Sequence, residues 1–294
     1  MTQTNPWILA ARPKTLPAAL SPIILGLGYC LHIGLKINIE TAGITLFCTV
    51  LLQISSNLIN DYYDGVNGVD TEDRLGPTRV TSSGLLTPSA VKTGFMATLG
   101  LAFLLGLHLM SVGGLPIVII GFSSIFFAWA YTGGPYPLSQ KGLGEIAALI
   151  FFGPVAVWGT VWIQSPTSFD SMPIFLGIGP GLISAGILAI NNLRDIVSDS
   201  KVNKITLAVK LGESKARKMT FVLIASSLFV PIYLGIIHQR VQFILPVIVY
   251  FIFFKNWQRI LFEPIDKKLN DTLANTGKYL LLYCITLSIA LVWN

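Results

Sequence analysis

Long apolar stretches recur along the chain, each closed by a short polar break. A helix that crosses about 30 Å of hydrocarbon needs about 20 apolar residues. Nine segments meet that requirement, near 16–35, 41–60, 92–112, 115–131, 144–164, 173–193, 219–238, 241–257 and 276–293. The third and fourth are separated by Gly113-Gly114, the seventh and eighth by Gln239-Arg240. Breaks that short force antiparallel hairpins. The pattern predicts an all-α polytopic membrane protein, with nine transmembrane helices in a bundle, a cytoplasmic-side cap of loops and a single intramembrane domain over 1–294.

Composition narrows the field further. Hydrophobic residues make up 53% of the 294 positions and charged residues only 12%, about half the share in a soluble domain. Too few charges remain to coat a water-facing surface, which excludes disorder, a nucleic-acid-binding arm and a small secreted scaffold. Cys30, Cys48 and Cys284 lie in apolar runs without paired spacing, so neither a disulfide framework nor a thiolate metal site is expected. Arg12 and Lys14 precede a full-length span rather than a short cleavable core, so the first helix is expected to be retained.

The net charge of +6 matters less than where its charges sit. With nine spans and a cytoplasmic N-terminus, every Lys and Arg except Lys36 and Arg240 falls on the cytoplasmic side. That is the asymmetry of the positive-inside rule, and it puts the C-terminus outside. An integral cytoplasmic (inner) membrane location follows. The acids share the bias without being required to, since only Glu40 and Asp170 fall outside. A face that gathers carboxylates binds something cationic. His32, His108 and His238 fall toward the opposite side and receive no chemistry.

Two aspartate clusters carry the candidate chemistry. The first closes the second span, where Asn57, Asn60/Asp61 and Asp64 recur at helical spacing on one face. Gly65 and Gly68 then break the helix and let Asp70 fold back. The second closes the sixth span, where Asn191, Asp195 and Asp199 recur every fourth residue. A single such cluster reads as a solvated helix end. Two at one depth, each led by asparagine, are repulsive without a cation. Oxygen donors without His or Cys point to Mg2+. Arg74, Arg79, Lys141, Arg194 and Lys201 lie nearby in sequence, as a metal–diphosphate site needs for its leftover negative charge.

The stretches Arg12-Pro-Lys-Thr-Leu-Pro17, Asn60-Asp-Tyr-Tyr-Asp64 through Arg79, Tyr131 through Pro137, Lys141 through Glu145, and Asn191 through Gly212 carry a resemblance. The chain resembles the UbiA-type intramembrane prenyltransferase superfamily, and within it the 1,4-dihydroxy-2-naphthoate polyprenyltransferases of menaquinone biosynthesis. The general first motif, Asn-Asp-x-x-Asp-x-x-x-Asp, is broken here: Gly68 holds the last acidic place and Asp70 follows two residues later, as in the naphthoate branch. The resemblance implies two Mg2+ ions held by Asn60, Asp64 and Asp70 on one side and by Asn191, Asp195 and Asp199 on the other. It implies that Asp64, Asp70, Asp195 and Asp199 are catalytic. The partners implied are a polyprenyl diphosphate, a dihydroxynaphthoate acceptor and the lipid bilayer, with no nucleic acid. The reaction implied is prenyl transfer with decarboxylation.

Substrate contacts are expected from Asn60, Asp61, Arg74, Arg79, Lys141, Arg194 and Lys201. Arg12 is read either as a positive-inside anchor or as a substrate contact. Tyr131 and Tyr136 are read as acceptor-stacking or cation-shielding rings, or as an interfacial belt. Glu145 has two readings, an acceptor contact or a cap of the fifth helix. The competing functions are the same superfamily with another aromatic acceptor, and a cation or metabolite transporter, which would spread polar positions through membrane depth.

Overall fold

The computed structural model describes residues 5–68, 75–167 and 169–293, and every regular element among them is helical. A short helix α1 (Pro6–Ala11) starts at Asn5, whose side chain accepts from the Trp7 N–H at 2.9 Å. Arg12 then takes a left-handed conformation (φ 51°) and turns the chain into α2 (Leu16–His32). Helix α3 (Ile39–Val66) is capped by Asn38, which accepts from the Thr41 N–H at 3.0 Å. It ends just before Gly68, where φ reaches 65°.

Helix α4 (Pro88–Ala130) runs for 43 residues, about 65 Å if straight and twice what a bilayer core requires. It is not straight. Gly114 breaks it at φ 65° and ψ −155°, a backbone that suits only glycine. The rings of Phe103 and Phe122 come within 6.1 Å, whereas on one continuous helix they would stand about 28 Å apart. The element is therefore a helical hairpin, as the Gly113-Gly114 break predicts.

Helices α5 (Gly144–Ile150) and α6 (Ala156–Gln164) form one bent rod, joined by a wider π turn over Phe151–Val155 that contains Pro154. The rod lies directly on α7 (Met172–Arg194), because Gly153 meets Gly177 and Gly181 backbone to backbone. A Cβ on Gly177 would come within 2.6 Å of the Pro154 backbone, so side chains there are excluded. This contact brings the start of α5 beside the end of α7. Two short helices follow, α8 (Ile196–Lys201) and α9 (Leu207–Leu211), and then α10 (Glu213–Ser226) and α11 (Phe229–His238).

The expected span 241–257 is not a single helix. α12 (Ile244–Ile252) and α13 (Phe254–Phe262) meet at 47°. From Lys255 onward the chain is amphipathic: Asn256, Trp257 and Ile260 are buried, while Lys255 and Gln258 are exposed. A helix with that polar face cannot continue along a path facing hydrocarbon, so it turns. The last helix is α14 (Leu269–Val292). Trp257 packs between Tyr250 and Tyr279, with centroids 5.4 Å and 5.2 Å away, and anchors the second half of the bundle.

Among the described residues seven helices are long and apolar enough to cross a membrane, the α4 hairpin being one, and the bent α12–α13 pair brings the number to eight. Their outer faces leave large apolar side chains uncovered, including Leu104, Ile119, Phe122, Ile236 and Ile252. Such continuous apolar exposure is unsustainable in water. The chain is an integral membrane protein.

Candidate active site

The ends of α3 and α7 meet at one end of the bundle, together with the loops after α3 and α4. In the first cluster, Asp61 and Asp64 are both buried. The carboxylate of Asp61 accepts from the backbone N–H groups of Val80 (3.2 Å) and Thr81 (2.9 Å), and Arg12 lies 3.9 Å from it. Asp61 therefore fastens the loop after α3 onto the helix end. Asp64 takes the guanidinium of Arg79 at 2.9 Å and has the Lys204 ammonium 3.8 Å away.

In the second cluster the helix is not continuous: α7 stops at Arg194, and Asp195 sits at the joint with α8 (φ −94°, ψ 9°). Arg194 is 2% exposed and grips Asp195 with both prongs, at 2.9 Å and 2.6 Å. It also donates to Asn191 and to Asn270, each at 2.8 Å. Asp199 is buried one turn further on and shares Lys204 with Asp64, at 3.6 Å.

One ammonium thus stands between the two clusters. Lys204 escapes sequence reasoning because it follows the second motif in what reads as a generic basic stretch. Its signal is structural: a lysine ammonium occupies the position between two buried carboxylates where a cation lowers their repulsion. Asn270 is also missed. It links Arg194 to the first-cluster loop by donating to the Leu75 carbonyl at 2.9 Å, and nothing in the polar first turn of α14 marks it.

The other expected residues fall in three places. Asn60 lies beside the cluster, accepting from the Thr132 hydroxyl at 2.9 Å. Asn57 turns away and ties α3 to the Ala11 carbonyl and the Thr15 hydroxyl. Arg194, expected to contact diphosphate, donates to Asp195, Asn191 and Asn270, the acceptors a buried guanidinium requires. Lys141 and Tyr136 are exposed together at the rim, the ammonium 4.4 Å from the ring centroid. Lys201 is exposed at the end of α8. Asp70 and Arg74 lie outside the described residues.

Tyr131 is at the centre. It is half-buried, and its ring lies against Gly144. Burial pushes its hydroxyl pKa upward first, and Glu145, Asp64 and Asp199 push it the same way, while Arg12 opposes them. Those groups therefore surround one phenol. Glu145 is buried and accepts from Asn192 at 2.9 Å. At the other end of α2, Tyr29 donates to Asp170 at 2.6 Å, far from this chemistry.

The donor set fits a hard divalent cation: carboxylates from two helices, amide oxygens beside them, and no sulfur or imidazole. Among the described residues no three acidic, histidine or cysteine side chains form a ready-made cage. Oxygens from the ligand itself would have to complete the coordination, as Mg2+ sites commonly allow.

Residues 19–288 match the UbiA prenyltransferase family. The chain is 40% identical over 213 residues to the 1,4-dihydroxy-2-naphthoate octaprenyltransferase of Mycobacterium tuberculosis, covering 72% of each chain. It is 38% identical to the Escherichia coli enzyme of the same name, over 78% of this chain and 75% of that one. The chain belongs to the UbiA prenyltransferase family. In fold it is similar to a UbiA homolog from Archaeoglobus fulgidus solved with GPP and Mg2+, with a TM-score of 0.68 at 17% identity over 98% of this chain and 99% of that one. The family match spans both aspartate clusters, Tyr131 and Glu145.

Proposed function

We propose that this chain transfers a polyprenyl group from its diphosphate to 1,4-dihydroxy-2-naphthoate, with loss of CO2, to give demethylmenaquinol, the reduced form of demethylmenaquinone. The observation that carries this reading is the meeting of Asp64 and Asp199 across the Lys204 ammonium. It brings two sequence-distant motifs to one cation-demanding point. The naphthoate acceptor comes from the relatives at 38–40% identity.

Asp64 and Asp199, with Asn60 and with Asp70 from the neighbouring segment, would hold Mg2+, two ions being expected. Asp195 and Asn191 complete the second side, with Arg194 orienting the Asp195 carboxylate. Bound Mg2+ supplies electrophilic stabilisation of the diphosphate leaving group. Arg79 and Lys204 add fixed positive charge beside it, and Lys141 and Lys201 receive the outer phosphate oxygens at the rim. Arg12, 3.9 Å from Asp61, borders the same entrance, and Arg74 is proposed as a further diphosphate contact. As the allylic C–O bond breaks, the acceptor carbon attacks and its carboxylate leaves as CO2.

Tyr131 walls the reacting region and helps to exclude water, which would otherwise quench the allylic cation. Tyr136 stays at the rim with Lys141. The isoprenoid tail has an apolar cleft between α2, α3, α4 and α6, bordered by Ile23, Leu52, Met110, Ile117, Phe151 and Ile163.

Nine crossings fit the helices if the α4 hairpin counts twice and α12–α13 once. With the basic residues kept on the cytoplasmic side, the N-terminus and the site face the cytoplasm and α14 ends outside. A reporter fused beyond α14 reads extracytoplasmic, and a cytoplasmic signal refutes this topology. The functional test is transfer by membranes containing the chain, run over several prenyl diphosphates and acceptors. Naphthoate is expected to be the acceptor used, and EDTA is expected to stop the reaction. Metal-independent transfer sinks the mechanism.

A further inference from the structure

Glu145 is 4% exposed, and its Oε1 accepts from Asn192 at 2.9 Å. Its Oε2 is buried without a hydrogen-bond partner among the described residues. Leaving a buried charged oxygen unsatisfied costs roughly 1–3 kcal/mol or more, so such a group calls for a specific reason. Helix capping does not supply one, because Glu145 makes no bond to the first-turn backbone of α5 among the described residues.

Its position does supply one. The hydroxyl of Tyr131 is among the atoms nearest to Gly144, the residue just before Glu145. The same hydroxyl feels Glu145 most strongly of three acids, followed by Asp64 and Asp199. Glu145 and the aspartate pair therefore act on one phenol, which lies against the residue just before Glu145. Asn192 holds one oxygen and fixes the direction of the other.

We propose that Glu145 Oε2 accepts a hydrogen bond from a ring hydroxyl of the aromatic acceptor, orienting the ring so that one carbon faces the allylic centre. The assignment rests on the prenyl-transfer reading. Two carboxylates repel, so an acceptor that carries one turns it away from Glu145 and presents a hydroxyl. A hydrogen bond to a carboxylate also pushes electron density into the ring, which favours attack on an allylic cation. The step balances without a net proton transfer. The new C–C bond takes a ring electron pair as the C–O bond to diphosphate breaks. The departing CO2 returns the pair from its own C–C bond, and the hydroxyl proton stays with the product.

The test begins with the wild-type chain in nanodiscs, supplied with prenyl diphosphate, Mg2+ and a panel of hydroxylated aromatics that includes dihydroxynaphthoate and its mono-O-methyl ethers. Glu145→Gln keeps an oxygen for Asn192 and loses the charged acceptor. It should lower kcat/KM for the preferred acceptor roughly 10–100-fold, the worth of one charged hydrogen bond, with the prenyl diphosphate KM unchanged. Methylating the bonded hydroxyl should cost the wild type a similar factor and cost Glu145→Gln little more. A Glu145→Gln chain near wild-type efficiency overturns the assignment. So does an equal shift in the diphosphate KM, or a methyl ether used as well as its parent by the wild type. If the wild type prefers another hydroxylated aromatic, the naphthoate reading fails and Glu145 is judged on that acceptor. If it prenylates none, both readings fall.

Discussion

At the end of α3, Asp61 gives its carboxylate to the backbone of Val80 and Thr81, while Asp64, one turn on, takes Arg79 and approaches Lys204. At the end of α7, Asp195 is clasped by Arg194, while Asp199, one turn on, approaches the same Lys204. Each cluster uses its first aspartate to build and its second to face the partner cluster. Burying two like charges at a helix end requires this division. The two sequence motifs look interchangeable along their length, yet their members divide by position.

The division is broken most directly by Asp64→Asn and Asp199→Asn. Each should cut turnover roughly a thousandfold, the scale seen when one preorganised electrostatic contact is lost. Thermal unfolding of Asp199→Asn in detergent should stay near the wild type, whereas Asp64→Asn also takes the charge partner from the buried Arg79 and should lower Tm. Near-normal rates in either variant would remove that residue from the site. Asp195→Asn should differ from Asp199→Asn. It leaves the buried Arg194 without its charge partner, which costs about 3–5 kcal/mol, so the folded yield and Tm should fall together with activity. A stable but inactive Asp195→Asn chain would instead confine Asp195 to the metal-holding role and remove it from the support of the fold.

Asp61→Ala sharpens the first half of the comparison with a smaller effect. Two backbone N–H groups lose their acceptor, at about 1–3 kcal/mol, and the loop at 75–87 should become cleavable by added protease. Its residual activity should exceed that of Asp64→Asn, and the opposite order would make Asp61 a ligand contact.

The bundle is legible in the apolar pattern because a membrane leaves the backbone little choice: every N–H and C=O must be satisfied within the helix. Even the α4 hairpin shows, through Gly113-Gly114. The α12–α13 bend does not, since 241–257 reads as apolar up to a polar face whose direction only packing reveals. In the site, the residue types and their spacing announce the two clusters. They do not announce that Arg194 clasps Asp195 and reaches Asn270, because adjacent opposite charges in sequence say nothing about which way a guanidinium turns. Lys204 and Asn270 are silent for a related reason. Each acts by bridging segments far apart in the chain, and no local pattern encodes that.

Tyr131 offers the smallest and most discriminating test, because the charges of both clusters act on its hydroxyl through space. Burial and the charges of Glu145, Asp64 and Asp199 all disfavour its phenolate. Its pKa in the folded chain therefore lies above the ordinary value of about 10, and the hydroxyl stays protonated through neutral and mildly alkaline pH. The stability tied to that shift is fully present below about pH 10 and is lost as pH rises toward the folded pKa. Tyr131→Phe removes a neutral hydroxyl and should slow turnover only about 2–10-fold. The ratio of wild-type to variant rate should stay flat between about pH 6 and pH 9, because neither chain changes charge at this position. A ratio that climbs or collapses across that window would mean that the phenol ionises there, which the carboxylates of both clusters, if placed around it as described, forbid.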